Sequence, residues 1–253
     1  MHYIGIRGFV RRSREGLSPF SQIASRLGRT GGSPRFAGVS LSAPDPVAAW
    51  GISGQISDGE YSFPGLVPRK GEHIVDIGAN IGVFALWAAR KGASVTCYEP
   101  GPDAFACLVR NTAGRPINVM HAAVVGRSTP ESMVRLYLHE ERSTRNTLLG
   151  IEIGSGQELM SHVDVPAVSI DKVLADGCDL LKVDCEGSEF DIFDGTDGTI
   201  LRQTRRIIVE FHRTAGDPQL LLQRFSDSGF HAQILKGTSP SDVFGVIGAH
   251  RID

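Results

Sequence analysis

The pattern of apolar and polar positions is sharpest between His73 and Ala89. An apolar run, Ile74-Val75, passes through Asp76 and Ile77 into Gly78-Ala79-Asn80-Ile81-Gly82. Ile81, Phe84, Ala85 and Ala88 then recur at i, i+3, i+4 and i+7, the buried stripe of a helix. The stretch predicts strand, tight turn and helix. Ser94–Tyr98 reads as a second strand ending at Glu99-Pro100, and Pro102–Asn111 as a helix with Phe105, Cys107 and Leu108 inward. Ile117–Val125 reads as a third strand, and Met133–Leu138 and Val163–Ile170 alternate as two more. Asp171 caps or opens a short helix to Leu174. Asp179–Val183 is a buried strand, and Gly187 begins a helix carrying Phe190, Ile192 and Phe193. Ile207–His212 is a strand and Pro218–Ser228 a helix. His231–Leu235 and Val243–Ile247 close the chain as strands around Gly237-Thr238-Ser239-Pro240. Strands alternating with helices and ending in a hairpin imply an α/β fold with a mainly parallel sheet and one antiparallel strand.

The remaining segments carry weaker signals. Residues 1–35 are rich in Arg, Gly and Ser, with Phe20, Ile23 and Leu27 marking a short helix after Ser18-Pro19. They serve as a plain cover, or else as a substrate lid or homodimer contact. Arg35–Ser42 alternates as a strand, and Gly51–Pro64 reads as a loop that either folds Glu60 and Tyr61 over a ligand or leaves them as ordinary surface residues. Glu140–Gly156 has no period and is either an active-site loop or disordered. The division expected is an extension over 1–58 and one domain over 59–253.

Apolar content of 41% and charged content of 21% in 253 residues are those of a globular protein with one substantial core. A net charge of −2 argues against a nucleic-acid partner, although a local basic patch can hide within a balanced total. Cys97, Cys107, Cys178 and Cys185 have neither zinc-like nor C-x-x-C spacing, so buried free thiols in a reducing cytoplasm are expected. No leader and no apolar run long enough for a membrane span is visible.

The glycine loop discriminates between ligands. Gly78 permits angles closed to other residues, and Gly82 lets the helix start lie close to a ligand or the sheet. A dinucleotide fingerprint requires G-x-G-x-x-G, but Asn80 and Val83 stand where glycines belong, leaving D-x-G-x-x-x-G. Glu99, at the tip of the second strand, is placed to accept both hydroxyls of a ribose. Residues two apart on a strand share a face, so Lys182 points with Asp184, its nearest candidate partner, and Glu210 with His212. Asp184, Glu210 and His212 converge where α/β sheets bind ligands. His212 is the natural base near neutral pH, with Asp184 the alternative; the three could instead hold Mg2+ or another divalent cation. Each acid could equally be a helix cap. Glu189 suits a cap or a bond within its own helix, and Cys185 suits packing.

Four stretches together resemble the FkbM-type methyltransferases: Val75-Asp76-Ile77-Gly78-Ala79-Asn80-Ile81-Gly82, Ser169-Ile170-Asp171, Leu181-Lys182-Val183-Asp184-Cys185-Glu186-Gly187-Ser188-Glu189 and Ile208-Val209-Glu210-Phe211-His212. The resemblance spans roughly Gly59 to His212. It implies a Rossmann-like class I fold with a seven-stranded sheet. It also implies S-adenosyl-L-methionine as cofactor and O-methylation of a sugar or small natural product. By position it assigns Asp76, Gly78, Asn80, Gly82, Glu99 and Tyr61 to the cofactor, and Lys182, Asp184, Glu186, Glu210 and His212 to the reaction site. Ser62 departs from the family's Gly-x-Tyr-Glu pattern. An N- or carboxyl-methyltransferase and a non-catalytic cofactor-binding module are the rival readings.

Overall fold

Strand β3 (His73–Ile77) is the axis of the computed structural model, which describes residues 34–44, 46–57, 59, 61–127, 132–139, 145–150 and 161–252. It pairs in parallel with β4 (Ser94–Tyr98) on one side and β9 (Leu180–Val183) on the other. Beyond β4 lies β5 (Ile117–Met120). Beyond β9 lie β10 (Arg206–His212), β12 (Phe244–Arg251) and β11 (Phe230–Lys236). The seven-stranded order is β11-β12-β10-β9-β3-β4-β5, with β12 antiparallel to both of its neighbours. The chain leaves β3 toward β4 and β5 and returns at β9. The β3/β9 seam is therefore the topological switch point, where ligands settle outside the carboxyl ends of the strands. Both the parallel sheet and its antiparallel closing strand agree with the alternating pattern.

Residue alternation divides the core. Val75, Ile77, Leu181, Val183, Ile207, Val209 and Phe211 pack on one face with α4 (Ile170–Val173), α5 (Glu189–Phe193), α6 (Gly198–Leu201) and α7 (Pro218–Asp227). Ile74, Leu180, Ile208 and Val246 pack on the other. That second face is covered by α1 (Pro46–Ser57), α2 (Val83–Arg90) and α3 (Pro102–Thr112). The predicted stripe Ile81, Phe84, Ala85 and Ala88 is buried there as expected.

Three expectations need correction. Helix α1 occupies much of the stretch expected to be a loop. Ala49, Ser53 and Ile56 form its buried stripe, and the small residues among them allow close packing. The single strand expected over Ile117–Val125 breaks after Met120. Its second part, β6 (Ala123–Val125), joins β8 (His162–Ser169) and β7 (Met133–Tyr137) in a separate three-stranded sheet. Ser169, not Asp171, caps α4 by accepting the Lys172 amide, while Asp171 pairs with Arg127 at 2.6 Å. The predicted helix at Phe20–Leu27 and the side chain of Glu60 lie outside the described residues.

Residues from Pro34 onward are fastened to the sheet domain. A two-strand ribbon, β1 (Arg35–Phe36) and β2 (Val39–Ser40), leads to Leu41, which is buried in the core. The side-chain amide of Asn111 accepts from the Ser42 backbone at 2.7 Å and donates to the carbonyls of Ser42 and Ile81 at 2.9 and 2.8 Å. One buried side chain thus ties the ribbon, α3 and the glycine loop together. Asn111→Ala leaves three polar groups short of a partner and should lower unfolding free energy by about 2–4 kcal/mol in urea denaturation. An unchanged midpoint would show that this junction contributes nothing.

Candidate active site

The site grows from one ion pair. Asp76 and Lys182 face each other across the β3/β9 ladder, with Lys182 Nζ 3.0 Å from Asp76 Oδ1 and donating to the Gly78 carbonyl at 2.9 Å. Asp184, the expected partner, is farther away at 3.7 Å. Asp76 is wholly buried and Lys182 nearly so, beneath the Phe84 ring. Burial opposes a charge on Lys182, but the attraction of Asp76 and then of Asp184 outweighs it and holds the ammonium charged. Burial raises Asp76 above its usual range while Lys182 pulls it back, and the hydrogen-bonded pair is best described as ionised. Both groups are shut away from solvent. They set the position of the loop above them.

That loop is tightly constrained. Gly78 has φ +74°, and a Cβ there would lie 1.8 Å from the Asp184 carbonyl oxygen. The glycine therefore lets the tip of β3 lie against the tip of β9. Asn80 occupies the left-handed region at φ 50°, where asparagine is tolerated, and its side-chain oxygen accepts the Ile81 amide. A Cβ on Gly82 would meet Leu108 and Thr112 of α3, so the glycine lets the helix start pack closely there. Glu99 accepts the Asn80 amide on one oxygen and the Gly101 amide on the other, each at 2.8 Å. Its carboxyl is pushed up to about 7 by burial, against the two amide bonds.

Across the crevice, Tyr61 donates its hydroxyl to Asp184 at 3.1 Å and to Glu210 at 3.3 Å, one proton serving two acceptors. Its ring stands edge-on to Phe84. Donor atoms of Asp184, Glu210 and His212 lie within 4.8 Å of one another, so the predicted convergence is present. His212 differs from the free base expected. Its Nδ1 is 3.2 Å from Glu189, and its Nε2 is 3.6 Å from Glu186 and 3.9 Å from Glu210. Burial alone would lower the imidazole. Its bond to Glu189 and the charges of Glu189, Glu186 and Glu210 together push it up to about 10. At neutral pH it is a cation, with no lone pair for a substrate proton.

Other residues were invisible or misjudged in the sequence. Glu189 does not bond within its own helix. It accepts the Cys185 and Gly187 amides at 2.9 and 3.2 Å and anchors His212, an arrangement foreshadowed only by its place just after a glycine turn. Glu186 sits at φ 50°, its carboxyl pushed up to about 8 by burial against the pull of His212. Thr147, from the unpatterned segment, donates to the Glu186 carbonyl at 2.7 Å, and the Asn146 amide lies beside Gly101. The described part of that segment thus borders the crevice; its residues 140–144 and 151–156 lie outside the described residues. Ser62 is exposed. The four cysteines are free, three buried and Cys185 partly so.

Lys182→Met strands the Asp76 carboxyl in the interior and should cost about 3–5 kcal/mol in chemical denaturation. Asp76→Leu/Lys182→Met should recover much of that loss while leaving the glycine loop unsupported. Equal destabilisation of the single and double variants would refute the pairing.

The methyltransferase FkbM domain matches residues 76–236, from Asp76 through the Lys182 and Glu210 strands. Methyltransferase sdnD of Sordaria araneosa is 28% identical over 211 residues, covering 71% of this chain and 82% of that protein. The 31-O-demethyl-FK506 methyltransferase FkbM of Streptomyces tacrolimicus is 29% identical over 185 residues, covering 62% and 71%. In fold, the chain is similar to magnesium protoporphyrin IX methyltransferase (ChlM) of Synechocystis PCC 6803, solved with bound SAM. That match has TM-score 0.50 and 11% identity over 95% of this chain and 100% of that one. The chain belongs to the FkbM family of S-adenosylmethionine-dependent methyltransferases.

Proposed function

We propose that the protein O-methylates a hydroxyl of a small natural product or sugar. The observation that carries this reading is the Tyr61–Asp184–Glu210 cluster beside the glycine loop, which offers carboxylates to a hydroxyl proton. The relative named for 31-O-demethyl-FK506 supports oxygen as acceptor atom and a natural product as substrate. Among the described residues no helix is long and apolar enough to cross a membrane.

The residues fit the cofactor. Glu99 presents a carboxylate at the tip of β4, as a ribose diol requires, and Asn80 and the Gly78 loop form the adjoining wall. Asp184 and Glu210 present carboxylates to the crevice, which suits a sulfonium cation. S-adenosylmethionine, when bound, supplies a methyl group activated by a positively charged sulfur. The chain's own task is to orient the acceptor and take its proton. Asp184 or Glu210 performs that transfer, with Tyr61 holding the carboxylates in place, because His212 already carries its proton. Orientation supplies most of the rate gain and a base about 10²–10⁴-fold.

A second reading is favoured by the compactness of Asp184, Glu210 and His212: a divalent cation there would lower the hydroxyl pKa. It must displace the His212 proton, so it competes with the Glu189 and Glu186 contacts. Chelator-treated enzyme that retains its rate, with no gain from added Mg2+, would remove this reading.

Asp184→Asn combined with Glu210→Gln should lower kcat at least about 10²-fold while affinity for the uncharged S-adenosylhomocysteine changes little. NMR of the product should find the new methyl on oxygen; methylation on nitrogen, or an undiminished rate, would contradict the proposal.

Glu99 gives a pH prediction. Its carboxyl is raised from 4.5 to about 7, so in the unliganded fold it costs stability increasingly as pH climbs through that window. Ribose hydroxyls prefer the ionised form. S-adenosylhomocysteine should therefore bind roughly tenfold more weakly at pH 6 than at pH 8 in calorimetry, and Glu99→Gln should flatten the profile. A flat wild-type profile would rule out Glu99 as the ribose acceptor.

A further inference from the structure

A second recess lies at the opposite edge of the sheet from the crevice. It is a cavity of about 480 Å³ lined by Gly65, Arg69, Arg205, Arg206, His250 and Arg251. Arg206 begins β10 and His250 is its ladder partner near the end of β12. His212 ends β10 six residues later, about 20 Å away at the usual rise of a strand.

Arg206 forms the fixed part of this recess. It is nine-tenths buried, pairs with Glu72 at 2.6 Å and donates to the carbonyls of Gly65, Val67 and Asp179. Gly65, at φ +82°, lets the His250 ring lie against the backbone; a Cβ there would come within 2.7 Å of it. Arg251 donates to the Arg202 carbonyl at 2.8 Å, while Arg205 and Arg69 are less committed. Arg205 is 70% exposed and 3.5 Å from Asp179, whose second oxygen accepts the His73 amide at 2.9 Å. Arg69 forms no ion pair among the described residues. The carboxylates paired with this set, Glu72 and Asp179, are thus already engaged. Burial, followed by the charges of Arg206, His231 and Arg69, lowers the His250 imidazole below its ordinary range.

We propose that this cavity binds a phosphorylated small molecule, a mono- or diphosphate ester of nucleotide or sugar size, at a site separate from methyl transfer. Guanidinium forks match phosphate oxygens two at a time, and several around one recess select a multiply charged anion. The volume lies within the range of small-molecule pockets, about 300–1,000 Å³, and exceeds what one phosphate needs. A nucleic-acid strand would instead ask for an extended basic face, whereas the chain carries a net charge of −2. The site stands on its own geometry and does not depend on which acceptor is methylated.

The test is calorimetry on the full chain at low salt, first with pyrophosphate and then with a nucleoside diphosphate. It compares wild type with Arg69→Gln/Arg205→Gln, which leaves the structural Arg206 intact. Saturable binding at one site, weakened about tenfold or more in the variant, is expected. The His250 ring resonances should titrate at higher pH when the anion is present. Similar affinity for both probes supports a site that reads the phosphate alone, whatever molecule carries it. Tighter binding of the nucleoside diphosphate supports a site that also reads the ester's body. Absence of saturation, identical affinity in a variant that unfolds at the wild-type temperature, or preference for a single-stranded oligonucleotide over both probes would overturn the proposal.

Discussion

The buried contact between Asp76 and Lys182 holds the crevice in shape. Taking two charges out of water costs several kcal/mol each, and only close pairing with added hydrogen bonds offsets that. Here the ammonium meets both the carboxylate and the Gly78 carbonyl, locking the tips of β3 and β9 at one separation. The left-handed Gly78 then closes against the Asp184 carbonyl with no room for a side chain. Every residue of the candidate site is referred to that seam: Asn80 and Glu99 on its β4 side, Asp184, Glu210 and Tyr61 on its β9 side.

One face of the sheet shows how charge is arranged along the strands. Along β10 the positions two apart run from Arg206 through Ile208 to Glu210, and along β9 from Leu180 through Lys182 to Asp184. Ile74, Leu180 and Ile208 are apolar under α1 and α2, with Arg206 toward the amino end and Asp76, Lys182, Asp184 and Glu210 toward the carboxyl end. The carboxyl end holds an acidic crevice and the amino end a basic recess. The acidic end is stable without ligand because Tyr61 and the His212 cation sit among its carboxylates. That same arrangement keeps a proton on His212, which is why the proposed mechanism turns to Asp184 or Glu210.

Much of this was legible in the sequence where the signal is local. The strand, glycine loop and helix around Gly78 follow from periodicity within a dozen residues, as does the alternation that gives the parallel sheet. Legibility fails where tertiary contacts decide. Helix α1 was hidden because Ala49 and Ser53, one small and one polar, make up two of the three positions of its buried stripe. The break between β5 and β6 was hidden because the apolar pattern runs on through both. Lys182 was paired with its neighbour in sequence, since the register that brings in Asp76 joins strands about a hundred residues apart. The charge of His212 depends on Glu189 and Glu186, acids the chain pattern could not aim.

The central claim is that the crevice at the tips of β3, β4, β9 and β10 is where methyl transfer occurs. A crystal structure of the protein soaked with S-adenosylhomocysteine tests it most directly. The account predicts the ribose on the Glu99 carboxylate and the sulfur facing Asp184 and Glu210. The nucleoside bound elsewhere on the chain, with this crevice holding solvent alone, would contradict it.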